Sequence, residues 1–215
     1  MLTGSAVDAF DRYIAWLDNR SERPAEVIAG IQAGFEVVRM DEGGMDAVPT
    51  DRLAAGGYDE DRAIYDNAAF GAGVEGVEAR TIHLGIDIFA PAGTPVFAPW
   101  QGRVHSFQDN NAPLDYGPAI VLEHDLGDVT VWSLFGHLSR ESLAGLADGQ
   151  GVVKGQQIAT LGDRDVNGGW LPHLHFQLIL DIGEARGDFP GVFRKSERER
   201  WKRICPDPAC WLGIA

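Results

Sequence analysis

The sequence predicts a mainly β protein, with a compact antiparallel β-sheet core, a helical or irregular N-terminal arm and a short C-terminal helix. Glycine makes up 27 of the 215 residues, well above the usual share of about 7%, which suits a fold with many tight turns. Between residues 81 and 181, short segments rich in Val, Ile, Phe and Trp alternate with turn-rich connections, a pattern typical of paired strands. The predicted strands cover residues 95–98, 102–107, 119–124, 129–135, 156–161 and 173–180.

The first 80 residues have a different character. Apolar residues recur at helical spacing within residues 8–17 and again within 27–35, and they predict two short helices. Residues 41–76 are rich in Gly, Asp and Ala and hold few apolar residues, so we expect a covering arm or linker there. The predicted parts are an N-terminal arm of residues 1–80, a β domain of residues 81–181, and a C-terminal helix and tail of residues 182–215.

Charge and composition exclude several classes of function. The chain has 18 basic and 32 acidic residues, a formal net charge of −14, which would repel nucleic acid. Its basic residues cluster in 194–203, where we expect a solvated helix face that pairs with the acidic remainder. The two cysteines, Cys205 and Cys210, cannot form a disulfide framework.

The sequence predicts a cytoplasmic location. The N-terminal residues lack the basic start and apolar stretch of a secretory signal. No segment reaches the roughly 18 to 20 apolar residues of a membrane helix, so we expect no membrane partner. A chain trimmed of its leader would instead be extracytoplasmic.

Five residues of the β domain form a candidate metal and catalytic set. His173 and His175 are two apart in a predicted strand, so their side chains share one face while Leu174 points to the other. His83 and Asp87 are four apart, and a straight strand would separate their Cα atoms by about 13 Å. The chain must therefore bend between them, as Gly85 allows. His137 completes the set.

The donor types in this set favour Zn²⁺. Two neutral imidazoles and one carboxylate suit zinc, and three protein ligands leave a fourth position for water, as in catalytic zinc sites. Zinc lowers the pKa of water from 15.7 toward about 7 and polarises a carbonyl group. We expect no such role for His105 and His124. We expect Trp132 to pack in the core, whereas Trp170, which lies near the site in the sequence motif, could also pack in the core.

Four ordered motifs resemble the zinc endopeptidases of the lysostaphin and LytM type over about half of the chain. They are HLGIDIFAPAGTPVFAPWQGRV at residues 83–104, TVWSLFGHLS at 130–139, VVKGQQIATLGD at 152–163 and PHLHFQL at 172–178. The resemblance implies an antiparallel sheet with the site in a groove and peptide cross-links of peptidoglycan as the substrate. It also implies that His83, Asp87 and His175 bind zinc and that His137 and His173 are catalytic.

Proton transfer would fall to the two catalytic histidines. An unperturbed histidine titrates near about 6.5, so His137 and His173 could take a proton from water, stabilise the oxyanion and return a proton to the leaving amine. The spacing does not decide which of the two performs which step.

A second resemblance concerns the arm. Residues 58–65 and 78–87 are similar to a subgroup in which this zinc domain lies within larger cytosolic polypeptides, beside aminotransferase-like and kinase-like modules. An intracellular peptide or amide would then be the substrate. We also expect that the arm could lie across the groove, with Asn67 or an acidic residue of 59–61 supplying an oxygen to the metal.

Three alternatives stay open from the sequence. The groove could hold a peptide without cutting it, as a binding module does. The chain could be a cytosolic zinc hydrolase that acts on another peptide or a small amide. It could also be a structural metal domain within an assembly, in which case removal of zinc should abolish folding.

Overall fold

The six strands predicted within the β domain all form. The computed structural model describes residues 4–41, 45, 48, 49 and 51–214. Each of the six strands begins and ends within three residues of its predicted bounds. The mainly β fold class is therefore confirmed.

The strands and helices of the described residues follow in chain order. The strands are β1 Glu36–Val38, β2 Ala54–Gly56, β3 Glu60–Asp61, β4 Arg80–His83, β5 Ile86–Phe89, β6 Pro95–Phe97, β7 Gly102–Asn110, β8 Gly117–Asp125, β9 Thr130–Gly136, β10 Gly151–Val152, β11 Gln157–Thr160, β12 His173–Ile179 and β13 Val192–Arg194. The α-helices are α1 Gly4–Asn19, α2 Arg198–Ile204 and α3 Ala209–Leu212. Short 3₁₀ turns occupy Ala63–Tyr65, Ala68–Phe70, Arg140–Leu143 and Lys195–Glu197.

The main sheet has the strand order β1-β2-β5-β12-β9-β8-β7-β10. Its pairs are antiparallel except for β1 with β2. Strand β12 lies between β5 and β9, and all of its residues are buried. Leu174 and Phe176 enter the main core, so alternation turns His173 and His175 to the opposite face. One strand thus anchors itself on one side and carries two imidazoles on the other.

The first helix predicted in the arm is present as α1. Tyr13 is fully buried, and Trp16 packs edge-on against Trp100 of the β domain with their ring centroids 5.6 Å apart. Ile14, which the helical pattern placed with them, is 38% exposed. Helix α1 therefore buries a narrower apolar face than the sequence predicts.

The prediction of a second helix within residues 27–35 is wrong. Residues 27–33 form bends and turns, although Val27 and Ile31 are buried as the apolar spacing implied. Gly30 and Gly34 adopt φ values of +87° and +144°, which lie outside the right-handed helical region. The apolar spacing in this segment reports burial rather than helix.

The arm also contributes strands that the sequence did not predict. Strand β2 pairs with β5 and extends the main sheet, and β1 pairs with β2. Strand β3 pairs with β4 in a second, three-stranded sheet of order β13-β4-β3. Strands β6 and β11 form a separate pair. The arm is therefore built into the sheets on both sides of the turn between β4 and β5.

The basic C-terminal segment pairs with acidic residues of the arm, as expected. Arg198 Nε lies 2.6 Å and Lys202 Nζ 2.8 Å from the carboxylate of Asp59. Lys195 Nζ lies 2.9 Å from Asp61 Oδ2. Among the described residues, no helix has the length and apolar character to cross a membrane.

Candidate metal centre

Two sheets bring His83, Asp87 and His175 together. His83 is the last residue of β4, and Asp87 lies in β5 directly opposite His175 of β12. His83 Nε2 lies 2.9 Å from His175 Nδ1 and 3.3 Å from Asp87 Oδ1. His175 Nδ1 lies 3.1 Å from the same oxygen. The three side chains are buried, so one ligand atom of each faces a common point.

The expected bend between His83 and Asp87 is present. Gly85 lies in it and leaves room for the ring of His175. Strand β4 belongs to the three-stranded sheet and β5 to the main sheet, with only Leu84 and Gly85 between them. A Cβ atom on Gly85 would lie 2.5 Å from Cε1 of the His175 ring. A side chain at this position would therefore push the ring out of the site.

The spacing of the three ligand atoms fits a zinc ion. A tetrahedral site with bonds of about 2.0–2.1 Å separates its ligand atoms by about 3.3 Å, close to the distances observed here. His175 Nε2 lies 2.9 Å from Gln177 Oε1 and His83 Nδ1 lies 3.4 Å from Gly57 O. Because both oxygens accept hydrogen bonds, we assign the ring protons to these outer nitrogens. The lone pairs of the inner nitrogens, His83 Nε2 and His175 Nδ1, and the carboxylate oxygen of Asp87 then face one point. A cation at that point would stabilise this arrangement.

His137 and His173 lie beside this cluster with one free nitrogen each. Their ring centroids are 4.1 Å apart. Nδ1 of His137 donates to Asn167 O at 3.0 Å, and Nδ1 of His173 donates to Leu171 O at 2.6 Å. His173 Nε2 is 3.8 Å from Asp87 Oδ1. Both outer nitrogens are thus held by the backbone, which leaves Nε2 of each ring to act in the site.

The backbone at His137 is held in an uncommon conformation. Its φ of 64° lies in the left-handed region, which costs a non-glycine residue about 1 kcal/mol or more. The N–H of His137 donates to Tyr116 O, and its carbonyl accepts from the N–H of Gly162, both at 2.9 Å. These bonds offset the cost and fix the direction of the His137 side chain.

Burial sets the charges of the cluster. Desolvation lowers the pKa of His83 to about 3, and the Arg62 guanidinium acts in the same direction. Burial also keeps the pKa of His137 well below its usual value, with His173 adding to the effect. Burial alone would raise the pKa of Asp87, but the charged Arg62 guanidinium beside it holds that pKa well below its usual range. A neutral His83 imidazole and an ionised Asp87 carboxylate are the protonation states that metal ligands require.

A pocket of about 310 Å³ opens onto these five residues. Aromatic side chains of the arm form part of its wall, with the Tyr65 ring 4.8 Å from Phe70 and 6.1 Å from Trp170. Trp170 therefore lies at the site, as expected, whereas Trp132, which was expected in the core, is only partly buried at the edge of a core cluster. Asp115 and Asp188 add carboxylates to the pocket.

The arm reaches the site with different residues from those expected. Asn67 Oδ1 accepts from the N–H of Ala69 at 3.0 Å and so caps a local turn. Asp59 and Asp61 pair with the C-terminal basic residues, and Glu60 Oε2 lies 2.9 Å from Arg62 Nε. The expectation that one of these oxygens reaches the metal is therefore wrong.

Sequence reasoning missed Arg62, Tyr65 and Gln177. Arg62 contacts Asp87, and Tyr65 stacks on His83 with ring centroids 6.3 Å apart. Gln177 had a detectable signal, because it lies two residues beyond His175 in β12 and shares its face. Arg62 and Tyr65 lie in the segment 58–65 that the second resemblance includes, but their contacts with the site depend on the pairing of β3 with β4 and could not be predicted from that segment.

The family comparison agrees with this geometry. Residues 81–185 match the model of peptidase family M23. This β domain belongs to peptidase family M23. The M23 domain contains the five candidate residues, whereas Arg62 and Tyr65 lie before it.

Known proteins are similar to the M23 domain over part of their length. An uncharacterized lipoprotein, YgeR, of Escherichia coli is 34% identical over 94 residues, which cover 44% of this chain and 33% of YgeR. The DD-carboxypeptidase/endopeptidase Mpg of Neisseria meningitidis is 36% identical over 101 residues, covering 46% of this chain and 20% of Mpg. The matched segment thus spans between a fifth and a third of these relatives.

A solved structure gives a similar match. The catalytic domain of the antimicrobial peptidase lysostaphin from Staphylococcus simulans is 25% identical, with a TM-score of 0.45. The match covers 66% of this chain and 85% of that domain.

Proposed function

We propose that the M23 domain is a zinc-dependent metallopeptidase that hydrolyses a peptide bond. In this proposal His83 Nε2, Asp87 Oδ1 and His175 Nδ1 hold Zn²⁺, and His137 and His173 are the catalytic histidines. The observation that carries the proposal is the convergence of those three ligand atoms within 3.3 Å of one another. A bound zinc ion would supply Lewis acidity and make water acidic enough to react near neutral pH.

The protein itself would supply orientation and proton transfer. Nε2 of His137 and of His173 are the free ring nitrogens at the pocket, because each Nδ1 is engaged by a backbone carbonyl. Either ring can accept a proton from water and return one to the leaving amine. The backbone carbonyl that accepts from each Nδ1 holds the His137 and His173 rings in position before substrate binds, and the backbone bonds of His137 add to this.

For the substrate we propose the peptide cross-links of peptidoglycan. The support is the family match together with the name of the related Mpg protein, a DD-carboxypeptidase/endopeptidase. A cytosolic peptide or small amide is the alternative, supported by the similarity of residues 58–65 to the subgroup found within larger cytosolic polypeptides. Under this alternative, the protein would lie in the cytoplasm, and the M23 domain would share its polypeptide with aminotransferase-like and kinase-like modules.

A hydrolysis assay with a matched variant tests the proposal. The purified chain is loaded with zinc and incubated with purified peptidoglycan and with a panel of peptides and small amides, and released amino groups are measured. His137→Ala should retain zinc and lower the rate by about 10² to 10⁴, the usual contribution of a positioned acid or base. Equal rates for wild type and variant on every amide would contradict the enzymatic proposal and favour a peptide-binding module.

A further inference from the structure

A buried arginine of the arm lies beside the proposed ligands. Arg62 directly follows β3, and its N–H donates to Thr81 O in β4 at 3.0 Å. This pairing runs alongside the strand that ends in His83. The Arg62 side chain has no exposed surface. A guanidinium that loses its hydration needs a close anionic partner.

Two carboxylates and a backbone carbonyl hold the guanidinium in its orientation. Nη1 lies 2.5 Å from Asp87 Oδ2, and Nε lies 2.9 Å from Glu60 Oε2. Nη2 donates to Gly57 O at 3.2 Å. A Cβ atom on Gly56 would come within 3.0 Å of Nη2, so the backbone of β2 packs closely against the group. Arg62 is therefore held by the arm and presented to Asp87.

The two oxygens of Asp87 face different partners. Oδ2 is paired with Arg62, whereas Oδ1 faces His83 Nε2 and His175 Nδ1 at 3.3 and 3.1 Å. This leaves one carboxylate oxygen for an ion, as a four-coordinate site requires. Rotation of the carboxylate would break its bond to Arg62. Partners of this kind hold metal ligands in place and strengthen the site.

We infer that Arg62 is a positioning residue of the metal site, which holds Asp87 Oδ2 so that Oδ1 alone faces the ion. The inference rests on the proposed function, because it requires that His83, Asp87 and His175 bind a metal. Arg62 lies outside residues 81–185, so the M23 domain alone lacks this partner. The affinity of the site for zinc therefore depends on the arm.

Zinc affinity of the full chain tests this role without measuring hydrolysis. Zinc binding is measured by competition with a chromophoric chelator, and the visible absorption of the Co²⁺-substituted protein reports ligand geometry. Arg62→Met should weaken zinc binding by about 10- to 100-fold, as loss of a ligand's hydrogen-bond partner does. Arg62→Lys should lie between wild type and Arg62→Met, because it keeps the charge and loses the planar fork. Both variants should alter the Co²⁺ spectrum.

The matched control is Arg198→Met. Arg198 also binds the arm, through Asp59, and does not contact the ligands. Its variant should bind zinc as wild type does. Equal zinc affinity in wild type and Arg62→Met, with only the metal-free stability lowered, would overturn the inference and leave Arg62 as a structural contact.

Two further outcomes are decisive. If Arg62→Met does not fold, Glu60→Gln removes the charge that holds Nε and should weaken zinc binding less than Arg62→Lys does. Unchanged affinity in both of these variants would overturn the inference. A wild-type chain that binds no zinc would overturn the proposed function itself and this inference with it.

Discussion

Buried histidines occur in two environments of this protein, and their ring nitrogens distinguish them. His124 in β8 has both nitrogens engaged, with Nδ1 2.8 Å from Gln101 O and Nε2 2.8 Å from Ser133 Oγ. His83 and His175 instead turn one nitrogen each toward the other and toward Asp87. Burial lowers the pKa of His124 to about 4 and that of His83 to about 3. Burial and a lowered pKa therefore do not identify a histidine as a metal ligand. Ring nitrogens that carry no proton and face a common point do.

The largest effect that would sharpen this comparison is expected from Asp87→Ala. The variant removes the carboxylate ligand and leaves Arg62 without its closest anionic partner, so we expect complete loss of tight zinc binding. Metal analysis after dialysis provides the measurement. An Asp87→Ala protein that retains stoichiometric zinc would show that the ligand set is wrong.

His173→Ala should separate binding from catalysis within the same cluster. We expect hydrolysis to fall by about 10² to 10⁴, because the variant removes a free Nε2 beside the proposed ligands. Zinc content should stay at the wild-type level, since the three ligand atoms are intact. Loss of zinc from this variant would instead place His173 among the ligands.

Gln177→Leu is expected to have a moderate effect. The variant removes the acceptor for Nε2–H of His175, which sets the tautomer and ring orientation of that ligand, and should weaken zinc binding by about 10- to 100-fold. Gln108→Leu, the same change at an exposed position of β7, is the control and should bind zinc normally. If both variants bind zinc equally, Gln177 has no part in holding His175.

His124→Ala should have the opposite pattern. Loss of its two hydrogen bonds leaves the buried hydroxyl of Ser133 without this partner, and we expect the free energy of unfolding to fall by about 1–3 kcal/mol. Zinc affinity should not change. Denaturant unfolding and chelator competition on the same preparation measure both quantities, and a loss of zinc affinity would contradict the separation of the two environments.

The smallest effect is expected from Asp59→Asn, which weakens the partly exposed ion pairs between the arm and helix α2. Partial burial would raise the pKa of Asp59, but Arg198 and Lys202 outweigh it and lower the pKa. Because the folded state favours the ionised form, this stabilisation is present above the unfolded pKa of Asp59 and is lost as pH falls through its folded pKa. The variant should lose at most about 1 kcal/mol near neutral pH, since the ion pairs are partly exposed. Its unfolding free energy should converge with that of wild type in acid, and a constant difference down to low pH would contradict this assignment.

Local patterns in the sequence predicted six strands of the β domain and much of the candidate site, but not the strands of the arm or β4, β5, β10 and β13. The period of two in a strand placed His173 and His175 on one face, and the distance between His83 and Asp87 required the bend at Gly85. Arg62 could not be predicted in this way, because its contact with Asp87 depends on the pairing of β3 with β4 and of β2 with β5. The helix expected at residues 27–35 failed for a related reason, since Val27 and Ile31 are buried by tertiary packing while Gly30 directs the backbone out of a helix.

Anomalous diffraction at the zinc edge, from crystals of the full chain grown with zinc, tests the central claim most directly. We expect one strong peak within about 2.0–2.2 Å of His83 Nε2, Asp87 Oδ1 and His175 Nδ1, with Arg62 still bound to the other oxygen of Asp87. A peak that shares none of these ligands, or no peak in the pocket, would contradict the assignment of this cluster as a metal centre.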